Sequence, residues 1–290
     1  MSLGGSLALA GGDGENTRRR TRAHLVLIAL SALVAVALGG CGSARPSAAN
    51  PMHLNKPGTL SVGMTLQFRP EMYLHKGKPA GYDVLLLKAL AKQMHVKLDI
   101  KNLDFTGLIP GLVAEKFDMV SVGLTPTPTR AKSVTFSRSY VPYVQVLADR
   151  TNDRTPATIA AWNSSDKTIT SLQGSTAEQR VQSTFPRAHS HSFPDQNAAF
   201  LEVATRRADA IVVETYLLAQ FNKSNGNKLK EVPFSKPLHV EYGSYAVQKG
   251  NSALAKYLNA FICREQKSGD LDKFYQATMG GPLKAMPSCP

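Results

Sequence analysis

Eight residues, Gly123-Leu124-Thr125-Pro126-Thr127-Pro128-Thr129-Arg130, bring together groups that could seat a small carboxylate. Glycine lets a ligand approach the backbone, Thr125 and Thr127 offer hydroxyls, and Arg130 offers a planar fork of donors that matches a carboxylate. The bland alternative is a surface loop with a solvated arginine. A second candidate anion seat is Gln173-Gly174-Ser175-Thr176, a turn rich in glycine and hydroxyls that leads into a helix expected near Ala177. Many helices begin with such a cap and bind nothing. Glu214 ends an expected strand, Ala208–Glu214, and stands before an apolar helix, as a ligand group, a helix cap or a surface acid. Phe68 and Phe105 follow expected strand ends, where they are either ligand-facing walls or core aromatics.

These residues need elements to position them. Leu60–Met64, Val96–Ile100 and Phe117–Val122 read as strands. Asp83 is expected to cap a helix whose apolar face is Val84, Leu87, Leu90, Ala91 and Met94. Pro110 suits the first turn of the next helix. Strands alternating with helices predict an α/β fold with a mostly parallel sheet, and ligands in such sheets lie beyond the carboxyl ends of strands. Residues 141–148 and Leu238–Gly243 read as extended connections, Thr151–Asp166 as a polar loop, Thr168–Leu172 as a strand, and 252–267 and 270–277 as terminal helices.

The chain has 290 residues, 43% of them hydrophobic, enough for one or two domains with sizeable cores. Its net charge is +13, and +11 remains once the four arginines and two acids of residues 1–40 are set aside. Basic residues are not interleaved with aromatics as in nucleic-acid modules, so proximity to anionic lipid is the preferred reading and nucleic acid is not expected. The histidines lack metal-site spacing and no glycine-rich nucleotide loop occurs, so neither metal nor cofactor is expected. Residues 17–40 carry a basic start and an apolar run, Leu25–Leu38, short for a membrane span, ending Leu38-Gly39-Gly40-Cys41. That ending resembles a bacterial lipobox. It implies an exported protein anchored through lipid on Cys41, in the periplasm or at the cell surface; a plain cleaved signal or a retained helix is the alternative. Residues 41–57 read as a flexible tether. Cys263 and Cys289 then form an even pair, and an oxidising compartment favours a disulfide, the alternative being one buried and one loose thiol.

The ordered series Val62-Gly63, Gly81-Tyr82-Asp83-Val84, Gly107–Leu112, Phe117–Val120, Thr125–Arg130, Val134–Ser137 and Tyr140 resembles the polar amino-acid binding proteins, family 3, of bacterial ABC importers, over roughly residues 58–280. The resemblance implies a two-lobed periplasmic binding protein type II fold with two hinge strands and an amino acid in the cleft. Lobe 1 would comprise 58–142 and 244–290, and lobe 2 143–243. It implies that Arg130, Thr125 and Gly123 hold the ligand carboxylate, that Phe68 and Phe105 are walls, and that Thr176 and Ser175 complete the site from lobe 2. Glu214 would meet the ammonium, although the family usually has aspartate there. Thr65 stands where several binders of basic amino acids or glutamine carry aspartate, which argues against a cationic ligand; Arg69 and the basic charge favour an anionic one. A monomer serving an ABC permease, without catalysis, is the expectation. The alternatives are a cyclohexadienyl dehydratase-like enzyme with Glu214 as general acid, or a ligand-sensing subunit of a signalling system.

Overall fold

The computed structural model describes residues 50–284 and 286–289. The expected signal segment 1–40, Cys41 and the start of the tether lie outside the described residues. Residues 50–57, read as the end of the tether, pack on the body. The Asn50 side chain binds both the N–H and the carbonyl of Leu54, and Leu54 is buried. Asn251 donates to the Met52 carbonyl at 3.1 Å, and the Asn55 N–H reaches Asp118.

The first half runs β1 (Thr59–Met64), a small antiparallel meander β2 (Gln67–Phe68), β3 (Met72–His75) and β4 (Lys78–Ala80), then α1 (Tyr82–Met94) and β5 (Lys97–Asn102). A 3-10 turn (Phe105–Gly107), α2 (Leu108–Val113), β6 (Met119–Leu124) and α3 (Pro128–Ser133) follow. The meander was not expected, because strands of two to four residues are too short for alternation to show. Helix α1 buries Val84, Leu87, Leu90 and Ala91 against the sheet, as their spacing predicts. Asp83 is not its cap. It is fully buried one position inside the helix and accepts hydrogen bonds from the Ser121 and Tyr140 hydroxyls at 2.6 Å each. Gly81 precedes the helix with φ 113°, and a Cβ there would stand 2.3 Å from the Glu71 carbonyl oxygen, so only glycine fits.

The second half runs β7 (Val134–Arg150), α4 (Ile159–Trp162), β8 (Thr168–Leu172), α5 (Thr176–Thr184), β9 (His189–Phe193), α6 (Gln196–Ala204), β10 (Ala210–Glu214), α7 (Thr215–Asn225) and β11 (Leu229–Glu231). Strand β12 (His239–Gln248) returns to the first half, followed by α8 (Ser252–Ser268) and α9 (Asp270–Met279). The 151–166 stretch is not all loop: α4 lies within it, and Trp162 is the largest fully buried side chain of the second core, beside Leu147, Ile169, Val181 and Phe185.

Strand order is β5-β1-β6-β12-β7-β10-β8-β9, with β11 on β7. Pairing is parallel at both ends, β5-β1-β6 and β10-β8-β9, but antiparallel in the centre, where β12 and β7 join the halves. The expected connections 141–148 and, from His239 on, 238–243 are parts of these two strands, which are 17 and 10 residues long. Ser137 and Ser139 interrupt the apolar run of β7 and mask its continuity; Ser137 donates to a backbone carbonyl and Ser139 meets Ser244 of β12 at 3.0 Å. Cys263 of α8 and Cys289 are joined by a disulfide, Cα to Cα 5.6 Å.

Candidate functional site

Arg130 sits in the short helix α3. Thr127 caps that helix by accepting the Arg130 N–H at 3.2 Å, and Pro128 opens its first turn. The fixed turn aims the guanidinium inward, where the residue is only 8% exposed. It donates to the Thr125 carbonyl at 2.9 Å and, across the two halves, to the Gly174 carbonyl at 3.0 Å, and it lies 5.6 Å from the Phe105 ring centre. Burial lowers its pKa to about 10, opposed by the charge of Glu241, so it stays cationic at neutral pH. These bonds use two of its five N–H donors, leaving three for a ligand.

Gly123 lines the cavity and also meets a packing need. It has φ 53°, and a Cβ would lie 1.5 Å from the Tyr143 hydroxyl oxygen. Gly243 of β12 packs face to face with it, a Cβ there meeting the Gly123 Cα at 2.6 Å. The glycine pair thus admits Tyr143 and close passage of the hinge strand.

From the second half, Ser175 caps α5: its hydroxyl oxygen accepts the Glu178 N–H at 3.2 Å and its O–H donates to the Leu172 carbonyl at 2.7 Å. Thr176 opens α5. Its hydroxyl donates to Glu241 Oε1 at 2.8 Å and accepts from Gln145 Nε2 at 3.0 Å. Glu214 ends β10 at the N-terminus of α7, yet its side chain makes no cap bond. It faces the cavity, 3.4 Å from Gln145 Nε2. Burial, and then the neighbouring charge of Glu241, push its carboxyl up to about 7.

Sequence reasoning missed Glu241, Gln145, Glu71, Tyr143 and Tyr216. Glu241 is 5% exposed on β12 and accepts from Gln145 Nε2 at 3.1 Å as well as from Thr176. Its available signal was a carboxylate within the extended connection expected over Leu238–Gly243. Glu71, 1% exposed, accepts hydrogen bonds from the hydroxyls of Tyr143 and Tyr216, whose rings stack with centres 6.0 Å apart. Burial, reinforced by Asp83, pushes its carboxyl well above the usual carboxylate range. Tyr216 belongs to α7, so this contact also bridges the halves, as does the Gln196 N–H donating to Gln67 Oε1 at 2.8 Å. With the Arg130–Gly174 bond, these contacts link the two halves directly.

Between the walls lies a small cavity of about 40 Å³, partly open to solvent. It is lined by Phe68, Phe105, Gly123, Thr125, Arg130, Ser175, Thr176 and Glu214, and by Tyr143, Tyr216 and Glu241. The expected site residues of both halves therefore converge, beyond the carboxyl ends of β6, β8 and β10. Phe68 and Phe105 meet edge to face at 6.4 Å. One cationic wall, an acidic wall and aromatic sides can grip a small molecule carrying both charges. Among the described residues, no cluster of three or more His, Cys, Asp or Glu is arranged to hold a metal ion.

The chain is 26% identical over 251 residues to an arginine-binding extracellular protein, ArtP, of Bacillus subtilis, covering 86% of this chain and 94% of that one. It is 27% identical over 266 residues to the L-cystine-binding protein TcyJ of Escherichia coli, covering 90% of this chain and 98% of that one. Among solved structures it resembles an ancestral amino acid-binding protein, AncCDT-1, described as a precursor of cyclohexadienyl dehydratase. That match has a TM-score of 0.70 and 32% identity, and covers 76% of this chain and 95% of that one. Residues 60–281 match the model of the bacterial extracellular solute-binding proteins, family 3, and the chain belongs to that family.

Proposed function

We propose that this protein captures an amino acid between its two halves and delivers it to an ABC importer. The carrying observation is that Arg130, Glu214 and Glu241 line one cavity together with Phe68 and Phe105. Arg130 and Thr125 take the α-carboxylate from the first half. Thr176 and Glu214 close from the second, with Glu214 receiving the α-ammonium. Strands β7 and β12 act as the hinge, and the closed state gains population by the contacts that only both halves together provide. Hinge closure around a ligand is the general behaviour of periplasmic binding proteins. The relatives named for arginine and cystine support an amino acid without selecting one. We take 58–142 with 244–290 as one lobe and 143–243 as the other. We also take Cys41 as a lipid-bearing N-terminus that tethers a monomer outside the cytoplasm, a role supported by Leu38-Gly39-Gly40 before it. Calorimetric titration against the twenty amino acids tests the main reading: saturable one-to-one binding of one or a few is expected, and no binding by folded protein would overturn it.

A second reading has one observation in its favour. Glu214, with a pKa of about 7, has the protonation behaviour a general acid needs. The likeness to a dehydratase precursor keeps an enzyme of that type in view. Release of phenylpyruvate from prephenate would establish it; the binding reading expects none.

A further inference from the structure

We infer that the ligand is a basic amino acid, with one carboxylate and two positive charges, and that Glu241 is the residue that selects it. The inference rests on the amino-acid reading above and adds the charge of the side chain. The cavity presents one cation, Arg130, and two carboxyls, Glu214 and Glu241, from different strands. Both carboxyls lean on the same neutral amide, Gln145 Nε2, at 3.4 and 3.1 Å, and Glu241 has Thr176 besides. The oxygen of that amide, Gln145 Oε1, is itself buried with no donor among the described residues. Acceptors therefore outnumber donors on this wall. No lysine or arginine among the described residues lies within ion-pair distance of either carboxyl.

A zwitterion with a neutral side chain leaves this balance unfilled. Its carboxylate goes to Arg130 and its ammonium to Glu214, and Glu241 is left with neutral hydrogen-bond donors and the more distant charge of Arg130, which the ligand carboxylate already engages. Burying a charge without a counter-charge is costly. A second cation on the ligand removes that cost, and its alkyl stem or guanidinium plane packs well on Phe68 and Phe105. After burial, the charge of Glu241 is the next cause that raises the Glu214 carboxyl, and this repulsion points the same way. Neither Arg69, which favoured an anionic ligand, nor Thr65, which argued against a cationic one, lines the cavity. Arg69 lies over the Tyr73 ring at 3.6 Å, facing a separate surface depression, and Thr65 lines another.

Matched pairs test this by calorimetry: arginine against citrulline, and lysine against norleucine, which differ mainly in side-chain charge. On the unaltered protein the cationic member of at least one pair should bind tenfold or more tightly. Equal or tighter binding of the neutral member in both pairs would overturn the inference while leaving the amino-acid reading standing. Binding of no amino acid by folded protein would overturn both. In Glu241→Gln, checked for folding by its melting temperature, the gap should shrink at least tenfold. In Glu214→Gln both members should weaken together and the ratio should hold. A gap that survives in Glu241→Gln, or closes only in Glu214→Gln, would overturn the assignment to Glu241.

Discussion

Arg130 carries two duties at once. Its guanidinium already bonds backbone carbonyls in both halves, Thr125 and Gly174, so it helps close the molecule as well as seat a carboxylate. In a site this buried the ligand contact is poorly screened, and truncating one partner costs about 2–5 kcal/mol. Arg130→Ala should therefore weaken the best amino-acid ligand by at least tenfold, and by a thousandfold at the upper end of that range (about 1.4 kcal/mol per tenfold). Arg130→Lys should lose much of the same affinity, because a point charge cannot span a carboxylate and two carbonyls as the planar fork does. Titration calorimetry of both variants decides the matter; unchanged affinity in Arg130→Ala would place the carboxylate elsewhere.

Among the elements, α5 shows how one short sequence is divided between structure and ligand. Ser175 and Thr176 were both expected to touch the ligand, and both line the cavity. The Ser175 hydroxyl, however, is engaged on both sides, by the Glu178 N–H and the Leu172 carbonyl. Ser175→Ala should cost about 1 kcal/mol of stability, the usual worth of an N-cap, and change ligand affinity less than Thr176→Val does. Urea unfolding and titration of both variants measure this. A larger loss of binding in Ser175→Ala than in Thr176→Val would return Ser175 to the ligand.

At the scale of the whole molecule, buried acids set a pH response. Burial raises the carboxyls of Asp83 and Glu214 to about 7, from ordinary values of 3.8 and 4.5. Between those limits the native state holds protons that the unfolded chain has shed. Their stabilising protonation is complete below the unfolded values and is lost as pH rises through about 7. Stability of the ligand-free protein should fall as pH rises from about 5 to about 8, by up to about 1.4 kcal/mol per pH unit for each group, and Glu214→Gln should flatten the slope. Thermal melts across that range provide the check, and a stability that climbs with pH would contradict it. The Cys263–Cys289 bridge spans 26 positions, which in the chain-entropy model contributes roughly 3–4 kcal/mol. Reduction, or paired substitution to serine, should lower the melting temperature by several degrees; an unchanged melt would show that the bridge stabilises little.

The chain of residues by itself determined what local pattern can determine. Helical spacing located α1, short strand-like stretches located β6, β8 and β10, and the Gly123–Arg130 stretch marked the cation that the cavity holds. Glu214 was legible because it ends a strand at a helix entrance, and Thr176 because it stands in a glycine- and hydroxyl-rich turn that leads into a helix. Tertiary structure alone decided the acidic wall. Glu241 meets Gln145 across 96 positions and Thr176 across 65, and Glu71 meets Tyr216 across 145. Those meetings depend on the register of β12 on β7, which pairs Glu241 with Tyr143 and His239 with Gln145, and on the approach of one half to the other. A strand's alternation says which side chains share a face, but not which distant strand lies opposite or at what register. The partners of a buried acid, and with them its charge and its use, exist only once that register is set.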